Sequence, residues 1–215
     1  MSNAGPGAAA PRAPIAAPAD ALPATLDALQ DDVWSRLAAG ATGAWTPWGL
    51  PVLATCGPDG MPQARTVALR AADRAGARLE FHTDARSAKA EALRADARAT
   101  VLFWDPAAAI QVRFGGTTRV YQGDGRARAA WADASPLSRA ACAVDAVPST
   151  PLPQATAFAD LPQVDGGAGD LAFERFALIV FEAEDIDWLW LGPGDLRRAR
   201  FFWNGSAWIG YWAAP

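Results

Sequence analysis

The residues best suited to chemistry lie between Arg65 and Lys89, where cationic and hydroxyl side chains alternate with apolar β-forming residues. Lys89 is the only lysine of the chain, and 18 of the 19 basic residues are arginines. Such donors suit a phosphate, because charge-assisted hydrogen bonds to an anion are about twice as strong as neutral ones. The alternative is a solvated basic turn beside an exposed helix start. The donors are Arg65, Thr66, Arg70, His82, Thr83, Arg86, Ser87 and Lys89.

Composition narrows the class of ligand. The chain has 215 residues, a hydrophobic content of 51%, a mean hydropathy of +0.02 and a formal net charge of −4. These values are typical of a soluble globular protein, and the acidic balance argues against a nucleic-acid partner. A local basic patch in an acidic protein fits a small anionic ligand better.

The cysteine and hydropathy patterns indicate a reduced, cytoplasmic location. Cys56 and Cys142 are far apart, and with one histidine they predict no metal site and free thiols. No apolar run approaches the roughly 20 residues that a membrane helix needs, so no membrane association is expected. The start of the chain does not resemble a signal peptide.

The sequence offers no other familiar catalytic arrangement. His82 is the only histidine, which argues against a serine–histidine–carboxylate triad, and neither a Gly-rich dinucleotide loop nor a P-loop occurs. Glu182 and Glu184 are interpreted as solvated charges at a strand edge, and Asp187 has no assigned role. The catalytic residues stay unknown, and the chemistry must come from a cofactor or be absent.

The elements that position the donor stretch are mainly strands. Residues 1–21 are predicted to be disordered, and residues 22–215 are predicted to form one domain. An amphipathic helix is predicted for residues 25–39, with Thr25 as its N-cap and Gly40 as its stop. The donor stretch is predicted as a strand at 62–70, a turn at 73–76, a strand at 78–83 and a helix at 87–93 capped by Asp84.

The remaining pattern is also β-rich. Gly115-Gly116 predicts a bulge or a close backbone approach within one long strand. A helix is predicted for residues 125–143 with Trp131 and Leu137 facing inward, and a long loop for residues 144–170. Asn204-Gly205 predicts a tight hairpin. The other predicted strands are 52–56, 99–104, 110–121, 173–181, 186–191 and two strands flanking the Asn204-Gly205 turn.

Several of these segments together resemble one known family. The segments RTVALR, FHTDARSAK and FW-DP, a strand with Gln111, and Trp190 followed ten residues later by Arg200 are similar to the pyridoxamine 5′-phosphate oxidase family. The resemblance covers residues 50–121 and 173–215, the second being an oxidase-like C-terminal tail. It implies an FMN-binding split barrel, a mainly β, Greek-key antiparallel barrel with peripheral helices. It also implies a homodimer with FMN at the subunit interface.

The resemblance carries roles over to individual residues. It implies that the segment from Arg65 to Arg70 runs along the flavin, with Arg65 near the ribityl phosphate. It implies that Gln111 reaches the isoalloxazine edge and that Trp190 and Arg200 come from the partner chain. The implied cofactor-binding residues are Arg65, Thr66, Val67, Leu69, Arg70, His82, Thr83, Arg86, Ser87, Lys89, Gln111, Trp190 and Arg200.

The tail departs from the family pattern where substrate is bound. True oxidases of this family carry an Arg-x-His pair, but Leu196 and Arg198 stand at those positions. Arg197 and Arg198 therefore predict a different, small anionic substrate, oxidised by hydride transfer to flavin N5. The alternatives are a pyridoxamine or pyridoxine 5′-phosphate oxidase proper, and a non-catalytic split barrel that binds flavin, deazaflavin or haem. In the haem alternative, His82 would be the axial ligand.

Overall fold

The computed structural model describes residues 22–43, 45–155, 164, 171–192 and 195–215. The predicted disordered segment 1–21 and much of the predicted loop 144–170 lie outside these residues. Residues 145–155, just after the last helix of that region, contain neither helix nor strand. No helix in the described ranges is long and apolar enough to span a bilayer.

Nine antiparallel strands form one sheet, which confirms the predicted mainly β class. The path of the sheet is β2-β1-β5-β6-β7-β4-β3, and β8 and β9 extend it from β7. β7 is the central strand, because it pairs with β6, β4 and β8. The strands are β1 (Val52–Cys56), β2 (Pro62–Thr66), β3 (Leu69–Asp73), β4 (Arg78–Asp84), β5 (Arg98–Asp105), β6 (Ile110–Tyr121), β7 (Phe176–Gly192), β8 (Asp195–Trp203) and β9 (Trp208–Ala213).

Five helices surround the sheet in the described part of the chain. The first confirms its prediction: the Thr25 side chain accepts a hydrogen bond from the Ala28 N–H, and the helix ends at Gly40. Its buried face carries Leu29, Val33 and Leu37 into the main core, as a 3.6-residue period requires. The helices are α1 (Leu26–Gly40), α2 (Ala88–Ala95), α3 (Gly125–Ala132), α4 (Pro136–Ala143) and α5 (Leu171–Arg175).

Two hydrophobic clusters lie on opposite faces of the central strands. The main one fills the inside of the sheet and is built around aromatic rings such as Phe103 and Phe114, whose centroids are 5.8 Å apart. The second lies beneath α3 and α5, where Trp131 contacts Phe176 at 5.3 Å between ring centroids. Strands covered on both faces explain why β7 is almost continuously apolar at its start.

The predicted strand at 62–70 is wrong in one respect, because it is two strands. Ladder pairing stops after Thr66 and resumes at Leu69. Between them the Val67 N–H donates to the Pro51 carbonyl at 2.9 Å, and the Leu69 N–H donates to the Gly49 carbonyl at 2.9 Å. The segment turns from one edge of the sheet to the other, which residue periodicity alone does not reveal.

The predicted helix at 125–143 is also two helices. Ser135 caps α4, since its side chain accepts from the Ser138 N–H, and Pro136 begins the helix. Trp131 is buried as predicted, but the prediction for Leu137 is wrong, because Leu137 is 38% exposed. The break rotates α4 relative to α3, so one helical period does not describe both.

Three other boundaries differ from the predictions. The strands predicted at 173–181 and 186–191 are one strand, β7, that begins after the short helix α5. α2 begins at Ala88, and Asp84 does not cap it. The predicted bulge at Gly115–Gly116 and the hairpin at Asn204-Gly205 are confirmed by a register shift and by a positive φ of 97° at Gly205.

Candidate functional site

Lys89 and Arg65 form a pair of cations without a carboxylate partner in the described residues. Lys89 Nζ donates to Thr83 Oγ1 at 3.0 Å. Arg65 donates to Thr55 Oγ1 at 2.8 Å and to the Leu53 carbonyl at 3.1 Å. Most other arginines on the described strands are ion-paired, so this pair has unused positive charge.

The electrostatics of the pair favour an incoming anion. Burial, and then the positive charge of Arg65, lower the pKa of Lys89. Burial also lowers the pKa of Arg65. Asp84 attracts Lys89, but its carboxylate oxygens are hydrogen-bonded to Arg86. Two partly desolvated cations that repel each other cost stability, and a bound anion would offset that cost.

Hydroxyl groups and a helix end complete this cluster. Thr83 and Ser87 are buried, and their hydroxyl oxygens are 3.1 Å apart. Ser87 is the N-cap residue of α2, and its side chain makes no capping bond. The N-terminus of a helix favours an anion because its first N–H groups and its dipole both point there. The phosphate cluster is therefore defined here as Thr55, Arg65, Thr83, Ser87 and Lys89.

Arg86 was predicted to hold the phosphate, but in the structure its guanidinium is hydrogen-bonded to other groups of the chain. It donates to Asp84 through Nε and Nη2, and to the carbonyls of Val144 and Asp145 at 2.8 and 3.0 Å. The hydrogen bond from Arg86 to Asp84 raises the pKa of Arg86 above its usual range. Arg86 thus ties the segment after α4 to the end of β4.

The three apolar or hydroxyl positions after Arg65 occupy different environments. Thr66 is exposed at the end of β2. Val67 and Leu69 are 8% and 1% exposed and belong to the main core. Their side chains stabilise the fold, so any contact of these two residues with a cofactor would use backbone atoms.

Arg70 and His82 line a second location, a cavity of about 190 Å³ that also contacts Ser138 and Cys142. Arg70 donates to Ser138 Oγ at 3.1 Å, while Arg70 Nε and His82 Nδ1 are shielded from solvent without a hydrogen-bond partner. Burial, with the charge of Arg70, lowers the pKa of His82 to about 4. Burial also raises the pKa of the Cys142 thiol to about 12, so this thiol is unreactive.

Gln111 and the tail arginines lie on the face of the sheet opposite to Arg65. Arg65 lies opposite Leu53 and faces the core. Gln111 lies opposite Leu189, which in turn lies opposite Arg198, and Arg200 is on the same face. One chain therefore does not bring Arg200 to the phosphate cluster. Its predicted action from a partner chain stays a prediction.

Asp187, which had no role in the sequence, anchors Arg198. Arg198 makes a bidentate contact with the Asp187 carboxylate at 2.8 and 2.6 Å, and Arg113 adds a third bond at 3.2 Å. Burial raises the pKa of Asp187, but the hydrogen bond from Arg198 and the charges of Arg198, Arg113 and Arg200 outweigh it and hold the pKa below its usual value. Arg198 thus lies along the sheet, and Arg200 pairs with Asp185 at 3.2 Å.

Trp190 and Arg197 lie together on the inner side of the tail. Trp190 is 1% exposed and belongs to the main core. The Arg197 guanidinium lies 5.8 Å from the centroid of the Trp190 ring and also contacts Asp195. Within a single chain the Trp190 ring offers no surface to a ligand bound by a partner.

The structure thus divides the predicted residues into three groups. Lys89, Arg65, Thr83 and Ser87 meet in the phosphate cluster, Arg70 and His82 meet in the cavity under α4, and the tail residues lie apart. Residue types alone do not reveal the roles of Thr55, Ser138 and Asp187, because each acquires its role through a partner distant in sequence. Only the Ser135-Pro136 start of α4 carried a local signal.

Comparisons with known proteins show which family this chain belongs to. A family model described as pyridoxamine 5′-phosphate oxidase matches residues 49–160, a range that holds the whole phosphate cluster. A pyridoxine/pyridoxamine 5′-phosphate oxidase from Thermobifida fusca (strain YX) is 33% identical over 172 residues, covering 70% of this chain and 68% of that protein. The chain belongs to the pyridoxamine 5′-phosphate oxidase family.

Solved structures share the fold of this oxidase-family chain. One is a pyridoxamine 5′-phosphate oxidase-related, FMN-binding protein from Nostoc punctiforme PCC 73102, with a TM-score of 0.70, 20% identity, and coverage of 84% of this chain and 95% of that one. Another is PhzG from Burkholderia lata 383 in complex with tetrahydrophenazine-1-carboxylic acid, with a TM-score of 0.64, 20% identity, and coverage of 91% and 95%. The split-barrel fold predicted from the sequence is therefore confirmed.

Proposed function

We propose that this chain binds FMN and acts as an FMN-dependent oxidoreductase on a small anionic substrate. The observation that carries the proposal is the pair of partly buried cations, Lys89 and Arg65, that lack a carboxylate partner in the described residues and lie beside two hydroxyls and the start of α2. A phosphate monoester fits this donor set, because it brings the missing negative charge and several acceptor oxygens.

The roles of the residues follow from that fit. Lys89, Arg65 and the Thr83 and Ser87 hydroxyls would hold the FMN phosphate, and Gln111 would contact the ring system. FMN would supply a hydride acceptor at N5, the substrate's proton would pass to solvent, and dioxygen or another acceptor would be the final oxidant. The protein would bind and orient FMN, and the buried Thr83 and Ser87 side chains would limit access of water to the phosphate.

The absorption spectrum of the purified protein tests this proposal. The protein is expected to be yellow, or to become yellow with added FMN, and an anaerobic screen of reductants should include one that bleaches it. A protein that is colourless and takes up no FMN contradicts the proposal. A Soret band without a flavin spectrum would instead favour haem bound through His82.

A second candidate is a pyridoxamine or pyridoxine 5′-phosphate oxidase proper. The 33% identity to the Thermobifida fusca oxidase favours it. The tail argues against it, because Arg198 stands where the family has histidine and is held by Asp187. Formation of pyridoxal 5′-phosphate and peroxide by the FMN-loaded protein decides between the two, and absence of turnover removes the second candidate.

The proposed functional unit is a homodimer with FMN at the subunit interface. Supporting this, Phe202, Ile209 and Tyr211 form an exposed apolar patch on the outer face of β8 and β9, with exposures of 41%, 61% and 51%. A second copy covering this patch would also supply Arg200, which a single chain keeps on the opposite face from the phosphate cluster.

A further inference from the structure

A cleft beside Arg70 is not used by the proposed phosphate contacts. It measures about 360 Å³, and its walls include Trp45, Leu50 and Leu137, with Arg70 and Ser135 at one side. Trp45 is 85% exposed and Leu137 is 38% exposed. Two large apolar side chains that flank a cleft and face water favour an apolar occupant, because burying them removes apolar area from solvent.

Arg70 lines this cleft and has free hydrogen-bonding capacity. Its Nη2 donates to Ser138 Oγ at 3.1 Å, while its Nε is shielded from solvent and has no partner. It forms no ion pair within the described ranges, whereas Arg78 on the next strand is paired with Asp73 at 2.8 Å. A shielded guanidinium with an unused N–H is a binding group for an anion.

The charges around the cleft decide which kind of anion fits. Among the described residues that line this cleft and the two cavities sharing Arg70 with it, Arg70 is the only permanent cation. His82 is neutral at neutral pH, since its pKa is about 4. Glu80 and Asp133 line an adjoining cavity of about 330 Å³. Asp84 lines the cavity of about 190 Å³. A phosphate dianion would therefore face one cation and three carboxylates, whereas a carboxylate matches the guanidinium fork in charge and geometry.

We propose that this cleft is the substrate subsite and that it takes an apolar monocarboxylate, with the carboxylate on Arg70 and the apolar part between Trp45 and Leu137. This inference rests on the proposed oxidoreductase function, because it names the substrate class of that activity. It also moves Arg70 from the predicted flavin contacts to the substrate. Ser138 then holds the guanidinium in place beside the carboxylate.

The proposal is tested by calorimetric titration with four probes on the full-length protein as purified. 2-Naphthoate has both a carboxylate and an apolar ring system, and 2-naphthalenemethanol has the same rings without the charge. Inorganic phosphate is an anion without an apolar part, and pyridoxal 5′-phosphate is a polar phosphate ester. 2-Naphthoate is expected to bind at least about tenfold more tightly than each of the others, as one charged hydrogen bond predicts. A phosphate ester also fits the Lys89–Arg65 cluster, so equal or tighter binding of pyridoxal 5′-phosphate overturns the proposal when Arg70→Gln weakens that binding.

Two variants and one control locate the probe. Arg70→Gln should weaken 2-naphthoate binding about ten- to a hundredfold and leave 2-naphthalenemethanol unchanged. Leu137→Asp places a repelling carboxylate at a partly exposed position of α4, where folding tolerates it, and should weaken 2-naphthoate similarly. Arg98→Gln removes a surface charge that pairs with Asp96 and should change nothing. Unchanged 2-naphthoate affinity in both Arg70→Gln and Leu137→Asp contradicts the assignment.

The readout separates this inference from the proposed function. FMN content is measured from the absorption spectrum of the same samples, before the titration. A colourless protein that takes up no added FMN but still binds 2-naphthoate through Arg70 refutes the flavin proposal and supports the cleft. A yellow protein that shows no preference for 2-naphthoate refutes the cleft and leaves the flavin proposal standing.

Discussion

At the scale of single residues, the cationic side chains of this chain differ in whether a carboxylate neutralises them. Arg86, Arg198 and Arg200 are each bonded to a carboxylate, and their charge is used within the chain. In the described part of the chain, Lys89 and Arg65 donate only to uncharged oxygens, namely hydroxyls, the Leu53 carbonyl and the Gln63 amide. An exposed ion pair contributes little to stability, but an uncompensated, partly buried cation is costly. Such a residue is therefore the better indicator of a ligand site.

Removal of either cation from the phosphate cluster should weaken FMN binding. Lys89→Ala and Arg65→Ala are each expected to lose about 1.5–3 kcal/mol of FMN binding free energy, because each loses a charged hydrogen bond. Quenching of FMN fluorescence measures the affinity. Arg98→Ala, which removes the same charge from an exposed position, is the control and should leave affinity unchanged. FMN affinity that stays at the wild-type value in both cluster variants would show that the phosphate binds elsewhere.

His82 should make stability depend on pH in a defined direction. Burial lowers its pKa to about 4 in the folded chain, against about 6.5 when unfolded. The unfolded chain therefore takes up the proton first, and the free energy of unfolding falls as the pH drops from about 6.5 towards 4. The loss should reach about 2 kcal/mol between pH 7 and pH 5.

Urea unfolding at the two pH values measures that loss. Arg70, Glu80 and Asp133 line the same cavity as His82, so other groups contribute to the total. The difference between wild type and His82→Gln isolates the histidine, and the variant should show the smaller loss. An equal pH dependence in the two proteins would mean that His82 is not kept neutral by the fold.

At the scale of elements, β7 organises the site. Its first half pairs with β4, which carries His82 and Thr83, and its second half pairs with β8, which carries the tail arginines. The register shift at Gly115–Gly116 occurs where β6 follows β7 from one half to the other. A bulge increases the local bend of a strand, so these glycines set the angle between the two halves of the sheet.

Gly116→Ala should destabilise the protein. A Cβ at this position would overlap with the carbonyl oxygen of Glu182 on β7, and moving a backbone group in a packed sheet costs about 1–3 kcal/mol. Gly125→Ala is the matched control, because nothing lies within 4 Å of the added methyl group at the start of α3. Urea midpoints should fall for the first variant and stay level or rise for the second. Equal midpoints would show that the bulge accommodates a side chain.

At the scale of the whole molecule, the outer face of the tail carries apolar side chains that a single chain leaves exposed to water. Its ion network is satisfied by Asp185 and Asp187, but the apolar patch of Phe202, Ile209 and Tyr211 next to it faces water. Phe202 and Tyr211 stack at 6.1 Å between ring centroids, which gives a flat surface. Exposed contiguous apolar patches of this kind mark interaction surfaces.

Ile209→Asp should convert the proposed homodimer into a monomer. The substitution places a charge in the middle of the patch, where desolvating it on association is unfavourable. Size-exclusion chromatography with light scattering measures the mass. Leu152→Asp is the control, because Leu152 is similarly exposed, at 52%, but belongs to the segment after α4 and to no strand. A wild-type monomer, or a dimer that persists in Ile209→Asp, would contradict this interface.

Local chemistry was sufficient for the features that depend on neighbours in sequence. Thr25 caps α1, Asn204-Gly205 turns a hairpin and Gly115-Gly116 forms a bulge, because caps, tight turns and bulges are decided by a few adjacent residues. The family resemblance was also readable, since it depends on the order of short motifs. Side-chain chemistry also predicted an anion as the ligand of the stretch from Arg65 to Lys89, and this stays a prediction.

The donors of that stretch, Arg65–Lys89, lie at two separate places in the structure, and only the tertiary structure decided this. A strand alternates its side chains between two faces, but which face meets the core, and which distant groups lie there, depends on strand pairing. Register places Arg65 with Lys89, while α4 encloses Arg70 with His82. Asp187 likewise accepts a hydrogen bond from Arg198 and neutralises its charge, although the two residues are eleven positions apart in sequence. Residue type determined which groups can bind an anion, and long-range packing determined which of them remain free to do so.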